Sequence, residues 1–204
     1  MGRQLRLKLD RALPPTRSEF VVSACNAAAV DALDRTADWP AGALALVGPE
    51  GAGKSHLAAI WSAQTPGAVL IEDADRRGAD EALFHSLNAA SLGAPLLLTG
   101  RTRPAAWPTP IADLRSRLNA LRVAELDEPD DAVLAAVLSR LFRERSIRPP
   151  EDLIPYLIRR IGRSVPEARA VVDRLDEAAL AEGRPVTRAL AREVLEQTGD
   201  LFPS

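Results

Sequence analysis

Residues 48–55 read Gly-Pro-Glu-Gly-Ala-Gly-Lys-Ser and constrain this chain more than any other stretch. Gly48, Gly53, Lys54 and Ser55 fill every fixed position of the pattern G-x-x-x-x-G-K-[ST], with Pro49, Glu50, Gly51 and Ala52 between them. Glycines let successive backbone N–H groups turn inward and form a cradle for an anion. A helix beginning at Gly53 and Lys54 adds the positive end of its dipole. Lys54 can then reach the β- and γ-phosphates of a nucleotide, and the Ser55 hydroxyl can hold Mg²⁺. The context fits: the apolar run 43–47 has strand length and a helix-forming stretch follows at 54–64. The competing reading is a Gly-rich strand–helix turn with no ligand. Four fixed positions rarely fall into place together by composition alone, which favours the nucleotide.

The rest of the chain alternates in the same way. Apolar runs at 68–71, 95–99 and 121–124 read as further strands. Helical stretches at 26–35, 54–64, 80–90 and 111–118 surround them, the first with Asn26 as its N-cap. Strand–helix alternation implies a parallel sheet with right-handed crossovers. From 127 the pattern becomes helical throughout, at 128–145, 151–161, 165–182 and 187–197, broken by Arg148-Pro149-Pro150, Gly162-Arg163-Ser164 and Gly183-Arg184-Pro185. The expected fold class is α/β: a phosphate-loop parallel-sheet domain over 20–126, then a small all-helical domain over 127–204. Residues 1–19 read as an extended tail, since Gln4, Leu5, Leu7 and Leu9 fall in a strand-like alternation before Pro14-Pro15.

Composition narrows the function classes. The 26 basic and 28 acidic residues leave a net charge of −2, which argues against wholesale electrostatic binding to nucleic acid. Cys25 is the single cysteine, so neither an internal disulfide nor a cysteine-based zinc site can form. No apolar run approaches the ~20 residues that span a bilayer, and residues 1–10 do not read as a signal peptide. A cytoplasmic location and no membrane partner are therefore expected.

Glu72-Asp73 closes the second apolar run. A carboxylate at the end of a strand beside a phosphate loop can bind Mg²⁺ or orient a water. The alternative is a solvated strand end.

Several of these residues carry a family resemblance. The loop 48–55 followed by His56-Leu57 is similar to the G-K-T-H-L of DnaA-type AAA+ proteins, and Val69-Leu70-Ile71-Glu72-Asp73 resembles their L-L-I-D-D strand. Residues 81–89 resemble the next helix, Leu97-Leu98-Thr99-Gly100 with Arg103-Pro104 the sensor 1 strand and loop, and 112–118 the segment that carries an arginine finger. The match is collinear into the helical domain, which then corresponds to the AAA+ lid. Within the superfamily the chain resembles the Hda-type regulatory inactivators of DnaA. Gln4-Leu5-Arg6-Leu7-Lys8-Leu9 looks like their Q-L-x-L-x-L peptide, in which alternate leucines enter apolar pockets beside a hydrogen-bonding glutamine. The sequence ends after the lid, where DnaA continues into a helix-turn-helix domain, so no direct sequence-specific DNA binding is expected.

The resemblance implies ADP or ATP with Mg²⁺ as cofactors, held by residues 48–56, with Ser55 and Glu72 on the metal. It implies that Asp73 is the second, catalytic acid and that Arg117, with Arg115 just before it, is an arginine finger. Such a finger acts in trans on a neighbour's ATP. Thr99 is the polar residue nearest the sensor 1 site, and Arg101 stands where the family usually has Asp. At the sensor 2 position the chain has Pro166, leaving Arg163 or Arg169 for the phosphate contact. Only 16 residues separate Ser55 from Glu72, so an edge strand of the family's sheet is expected to be missing.

The implied function is that of a regulator of replication initiation. It would dock on the sliding clamp of DNA polymerase III (the beta subunit) through residues 4–9 and stimulate ATP hydrolysis by DnaA. It would act as an activator in trans more than as a turnover enzyme, close to the replisome, with room for a homodimer. The alternative is a stand-alone ATPase of clamp-loader-like or helicase-loader-like type.

Overall fold

The computed structural model describes residues 16–17, 20–77 and 80–196. Four parallel strands form one sheet in the order β2-β3-β1-β4: β1 Ala43–Val47, β2 Val69–Ile71, β3 Leu96–Gly100 and β4 Arg122–Glu125. β1 lies between β3 and β4, in register Ala43↔Leu96 and Leu44↔Arg122, and is buried along its whole length. That is why it reads as a continuous apolar run and not as an alternation.

Alternate residues of β1 and β3 serve opposite faces of the sheet. Leu44, Leu46 and Leu97 pack with α1 (Ala27–Asp34) and α2 (Lys54–Gln64) on one face. Ala43, Leu96 and Leu98 pack with α4 (Glu81–Ser91) and α5 (Ala112–Ala120) on the other. Two tryptophans fix the first face: Trp39 stacks on Trp61 at 5.1 Å, Trp39 Nε1 donates to the Ala32 carbonyl, and Trp61 Nε1 to Thr36 Oγ1. Trp107 does the same for the second face, buried with Nε1 on the Thr102 carbonyl. Trp61 and Trp107 are thus packing residues, as their amphipathic rings suggest.

Between α2 and β2 the chain has no further strand among the described residues, so β2 forms one edge of the sheet. α3 (Ala74–Arg77) is a single turn after the acidic pair. Asn26 does not cap α1: its Oδ1 accepts the Ser23 N–H and its Nδ2 donates to the Val21 carbonyl, both at 2.9 Å. The side chain stitches the preceding loop together and is therefore spent before it can reach the helix N–H groups.

After β4 come α6 (Asp131–Glu144), α7 (Leu153–Ile158), α8 (Val165–Glu182) and α9 (Arg188–Glu196). They share a core of their own, with Phe142, Leu138, Leu157 and Val172 at its centre. Asp130 caps α6 by accepting the Val133 N–H at 2.9 Å. Ser164 caps α8, whose third residue Glu167 accepts the Gly162 N–H at 2.8 Å, close to a capping box. Gly183 ends α8 with φ +64. This architecture is α/β with a helical lid, as the strand–helix alternation and the change of pattern at 127 indicate. No helix among the described residues is long and apolar enough to cross a membrane.

Candidate functional site

Parallel strands bring all their C-terminal ends to one edge of the sheet, where α/β folds bind ligands. Here that edge gathers the loop after β1, the Glu72-Asp73 turn after β2, Arg101 after β3, and the entry to the lid after β4. The Gly48 N–H donates to the Gly100 carbonyl at 3.3 Å, and the Leu126 N–H to the Val47 carbonyl at 2.8 Å. The loop is therefore clamped from both neighbouring strands.

Lys54 opens α2 and is only 8% exposed. Its Nζ donates to the carbonyls of Gly48 (2.8 Å) and Pro49 (2.7 Å), so the ammonium is curled into the loop. Burial pushes its pKa below the usual lysine range; the field of Arg101 acts in the same direction, while Asp73, Asp75 and Glu50 oppose it. Ser55 is exposed on the first turn of the same helix.

Thr99 is 1% exposed, and its Oγ1 accepts the Asp73 N–H at 3.0 Å. Asp73 has φ +50, a strained conformation for a non-glycine residue. The buried threonine thus anchors the acidic turn instead of facing a ligand directly. Glu72 is half-buried. Among the described residues no three acidic, histidine or cysteine side chains cluster as a metal cage. A hydroxyl and one or two carboxylates fit Mg²⁺ better, because that ion keeps its waters and arrives on phosphates.

Beside the loop lies a cavity of about 430 Å³, within the range of small-molecule sites. Gly53 and His56 line it from the loop side, and Phe20, Val21 and Cys25 from the segment before α1. The lid closes it with Val133, Val137, Val165 and Arg169. Phe20 and His56 stand ring to ring at 5.8 Å. Cys25 is only half-buried, with Sγ 3.1 Å from Ser23 Oγ, because it lines this slot and not the core. Sequence reasoning missed the slot. The apolar stretch 20–22 was its only local signal, and its other wall is far away in sequence.

The lid touches the loop itself: the Val165 N–H donates to the Gly51 carbonyl at 3.1 Å. Gly51 has φ +78, and a Cβ there would stand 2.5 Å from Ser164 Oγ and 3.2 Å from Pro166 Cδ. So Pro166, at the expected sensor 2 position, packs against the loop. Of its arginine neighbours, Arg169 reaches the cavity. Arg163 turns away, donating to the Pro129 carbonyl (3.1 Å) and Asp131 (2.8 Å).

Arg117 lies elsewhere. On α5, against the opposite face of the sheet from α2, its guanidinium covers the Phe84 ring at 5.1 Å and faces Asp113 at 3.6 Å. Arg115 is committed to the Ala105 carbonyl. His85 is exposed on α4. Gln4, Leu5, Leu7 and Leu9 lie outside the described residues.

Known proteins share this arrangement. Domain III of the replication initiation protein DnaA from Thermotoga maritima superposes with a TM-score of 0.75 at 17% identity, covering 90% of this chain and 96% of that one. AMPPCP-bound DnaA from Aquifex aeolicus gives 0.66 at 16% identity, covering 83% of this chain and 67% of that one. At these identities the likeness concerns the fold. In sequence, the chromosomal replication initiator protein DnaA of Thermomicrobium roseum is 28% identical over 134 residues. The family model for the Hda lid domain matches residues 130–195.

The chain resembles DnaA-type AAA+ proteins and matches Hda in its lid.

The Hda-type match runs from α6 into α9; of these helices α6 and α8 wall the cavity, and α8 reaches Gly51. The T. roseum match covers 63% of this chain but 29% of DnaA, so the chain spans about three tenths of the length of that relative.

Proposed function

We propose that this chain binds ADP or ATP with Mg²⁺ at residues 48–56 and acts as a regulator that switches DnaA off. The observation that carries the reading is the division between two sites. Lys54 is curled into the phosphate loop and Arg169 lines the lid-covered slot beside that loop, whereas Arg117 stands on the far side of the sheet from α2. Bound nucleotide would hold the lid on the α/β domain, which is selection of one state by a ligand. Arg117 would then meet the ATP of a DnaA molecule and stabilise the charge that develops on hydrolysis, leaving DnaA bound to ADP.

Within the chain's own site, Lys54 would balance phosphate charge and Ser55 and Glu72 would hold Mg²⁺. Mg²⁺ there would neutralise phosphate charge. Asp73 would orient a water, and Arg169 would close on the phosphates from the lid. Residues 4–9 would place the whole at the sliding clamp of DNA polymerase III in the cytoplasm, with or without a homodimer. The alternating leucines of this segment and the Hda-type lid support that reading.

The test is clamp binding by the full chain and by a Gln4→Ala, Leu5→Ala, Leu7→Ala variant. Binding lost in the variant supports the docking peptide, and no binding by the wild type removes it. A stand-alone ATPase is the second reading, favoured by the anchoring of Asp73 on Thr99 and by the proximity of its charge to Lys54. Substantial ATP turnover by the isolated chain, abolished by Lys54→Ala, would establish it.

A further inference from the structure

A second cavity, of about 480 Å³, lies wholly in the helical lid, where α6 turns into α7. Ser139 and Arg143 of α6 line it, with Ser146, Ile147 and Arg148 of the turn and Ile154 of α7. No carboxylate is among the described residues of its lining. Acids on the neighbouring turns are engaged elsewhere: Glu144 with Arg140 at 3.0 Å, Asp152 with Arg188 at 3.5 Å, and Asp173 with Arg145. The C-terminal end of a helix ordinarily repels anions. Here the last carbonyls of α6 are taken. Phe142 accepts the N–H groups of Arg145 (3.1 Å) and Ile147 (2.9 Å), Arg143 accepts that of Ser146 (2.9 Å), and Leu141 accepts Arg145 Nη1 (2.9 Å). The turn that allows this holds Ser146 at φ +59, where glycine would carry no strain. Serine there brings a hydroxyl to the cavity, and strained residues of this kind gather at ligand sites.

One carboxylate satisfies one guanidinium fork, whereas a phosphate monoester carries nearly two charges and three oxygens, enough for two forks. Beside the arginines, Ile147 and Ile154 are only partly buried against the lid core and leave an apolar floor. We propose that the lid cavity binds a phosphomonoester with an apolar or aromatic body: Arg143 and Arg148 hold the phosphate, and Ile147 and Ile154 carry the body. The site uses none of residues 48–56, so it stands apart from the nucleotide reading of the loop. Ser139 and Arg143 also line the slot beside the loop, whereas Arg148 lines the lid cavity alone. Arg148 is therefore the residue that marks this site.

The experiment is equilibrium binding of phenyl phosphate to the full chain, read by calorimetry without Mg²⁺ and repeated with excess ADP. Binding is expected to persist with ADP present and in Lys54→Ala. Arg148→Gln is expected to weaken it about tenfold, the loss of one charged hydrogen-bonding group, and to leave ADP affinity unchanged. Benzenesulfonate, with the same ring and a single charge, is expected to bind several-fold more weakly. No binding of phenyl phosphate by the wild type overturns the proposal. Binding that ADP displaces or Lys54→Ala abolishes belongs to the phosphate loop and overturns it as well. So does binding that Arg148→Gln leaves unmoved. Equal affinity for benzenesulfonate makes the cavity a general anion patch and overturns the assignment to phosphate.

Discussion

The backbone N–H of Val165 donates to the carbonyl of Gly51 at 3.1 Å, which joins the first turn of α8 to the phosphate loop. The lid and the loop are thus one hydrogen-bonded unit, and a glycine stands at the joint. At Gly51 a Cβ would meet Ser164 Oγ at 2.5 Å in a backbone with φ +78. At Gly53 φ is +99 but nothing lies within 4 Å of a Cβ. Gly51→Ala therefore carries both strain and a clash, and Gly53→Ala strain alone. Strain of this kind costs about 1–3 kcal/mol. Chemical denaturation without nucleotide is expected to show Gly51→Ala as the more destabilised of the two; the reverse order would separate the lid from the loop.

Lys54 gives the site a pH dependence. Burial lowers its pKa in the folded chain, so between its folded and ordinary values the unfolded chain binds more protons. Stability without nucleotide is expected to rise with pH across that alkaline window, and Lys54→Met is expected to flatten the rise. Phosphate charge would favour the ammonium again, so nucleotide binding takes up protons in the same window and weakens as pH rises. Calorimetry in two buffers of different ionisation enthalpy measures the uptake directly.

The cap of the lid changes stability with the same sign but in the acid range. Asp130 accepts the Val133 N–H, its main influence, and lies beside the Ser23 hydroxyl; both hold its pKa below the usual carboxylate range. Its contribution is present above the unfolded pKa and is lost as pH falls through the folded one. Asp130→Ala is expected to cost about 1 kcal/mol at neutral pH. Asp130→Asn keeps an acceptor, so it is expected to hold most of the stability while removing the acid sensitivity. Thermal unfolding at neutral and acid pH distinguishes the two.

Much of this was legible in the chain because it rests on local chemistry. The run 43–47, the glycines of the loop and the break at 127 each bind structure to composition within a few residues, and the parallel sheet followed from them. The short interval between Ser55 and Glu72 likewise limited the sheet to an edge at β2. What stayed hidden depends on distance in sequence. The slot joins Phe20 and Cys25 to Val133 and Val165, elements more than a hundred residues apart. Asn26 had the right residue type and position for a cap, but the carbonyl of Val21 and the N–H of Ser23 claimed it. Arg163 and Arg169 were equivalent on paper. Only the packing of α8 sends one into the cavity and the other to Asp131.

Phe84 bears on the arginine proposed to act on DnaA. Its ring supports the Arg117 guanidinium at 5.1 Å, and Asp113 faces it. A cation held on an aromatic face keeps a defined direction while remaining partly open to water. Phe84→Leu, which fills much of the volume without a π face, is expected to lower stimulation of DnaA several-fold and to leave nucleotide binding by this chain unchanged. Equal stimulation by Phe84→Leu would show that the ring contributes packing alone.

The central claim is that Arg117 acts on ATP held by DnaA. Hydrolysis of ATP by DnaA, measured with sliding clamp loaded on DNA and with wild-type chain or Arg117→Ala added, tests it most directly. The account predicts stimulation by the wild type and its loss in Arg117→Ala, with clamp and nucleotide binding retained. Full stimulation by Arg117→Ala would contradict it.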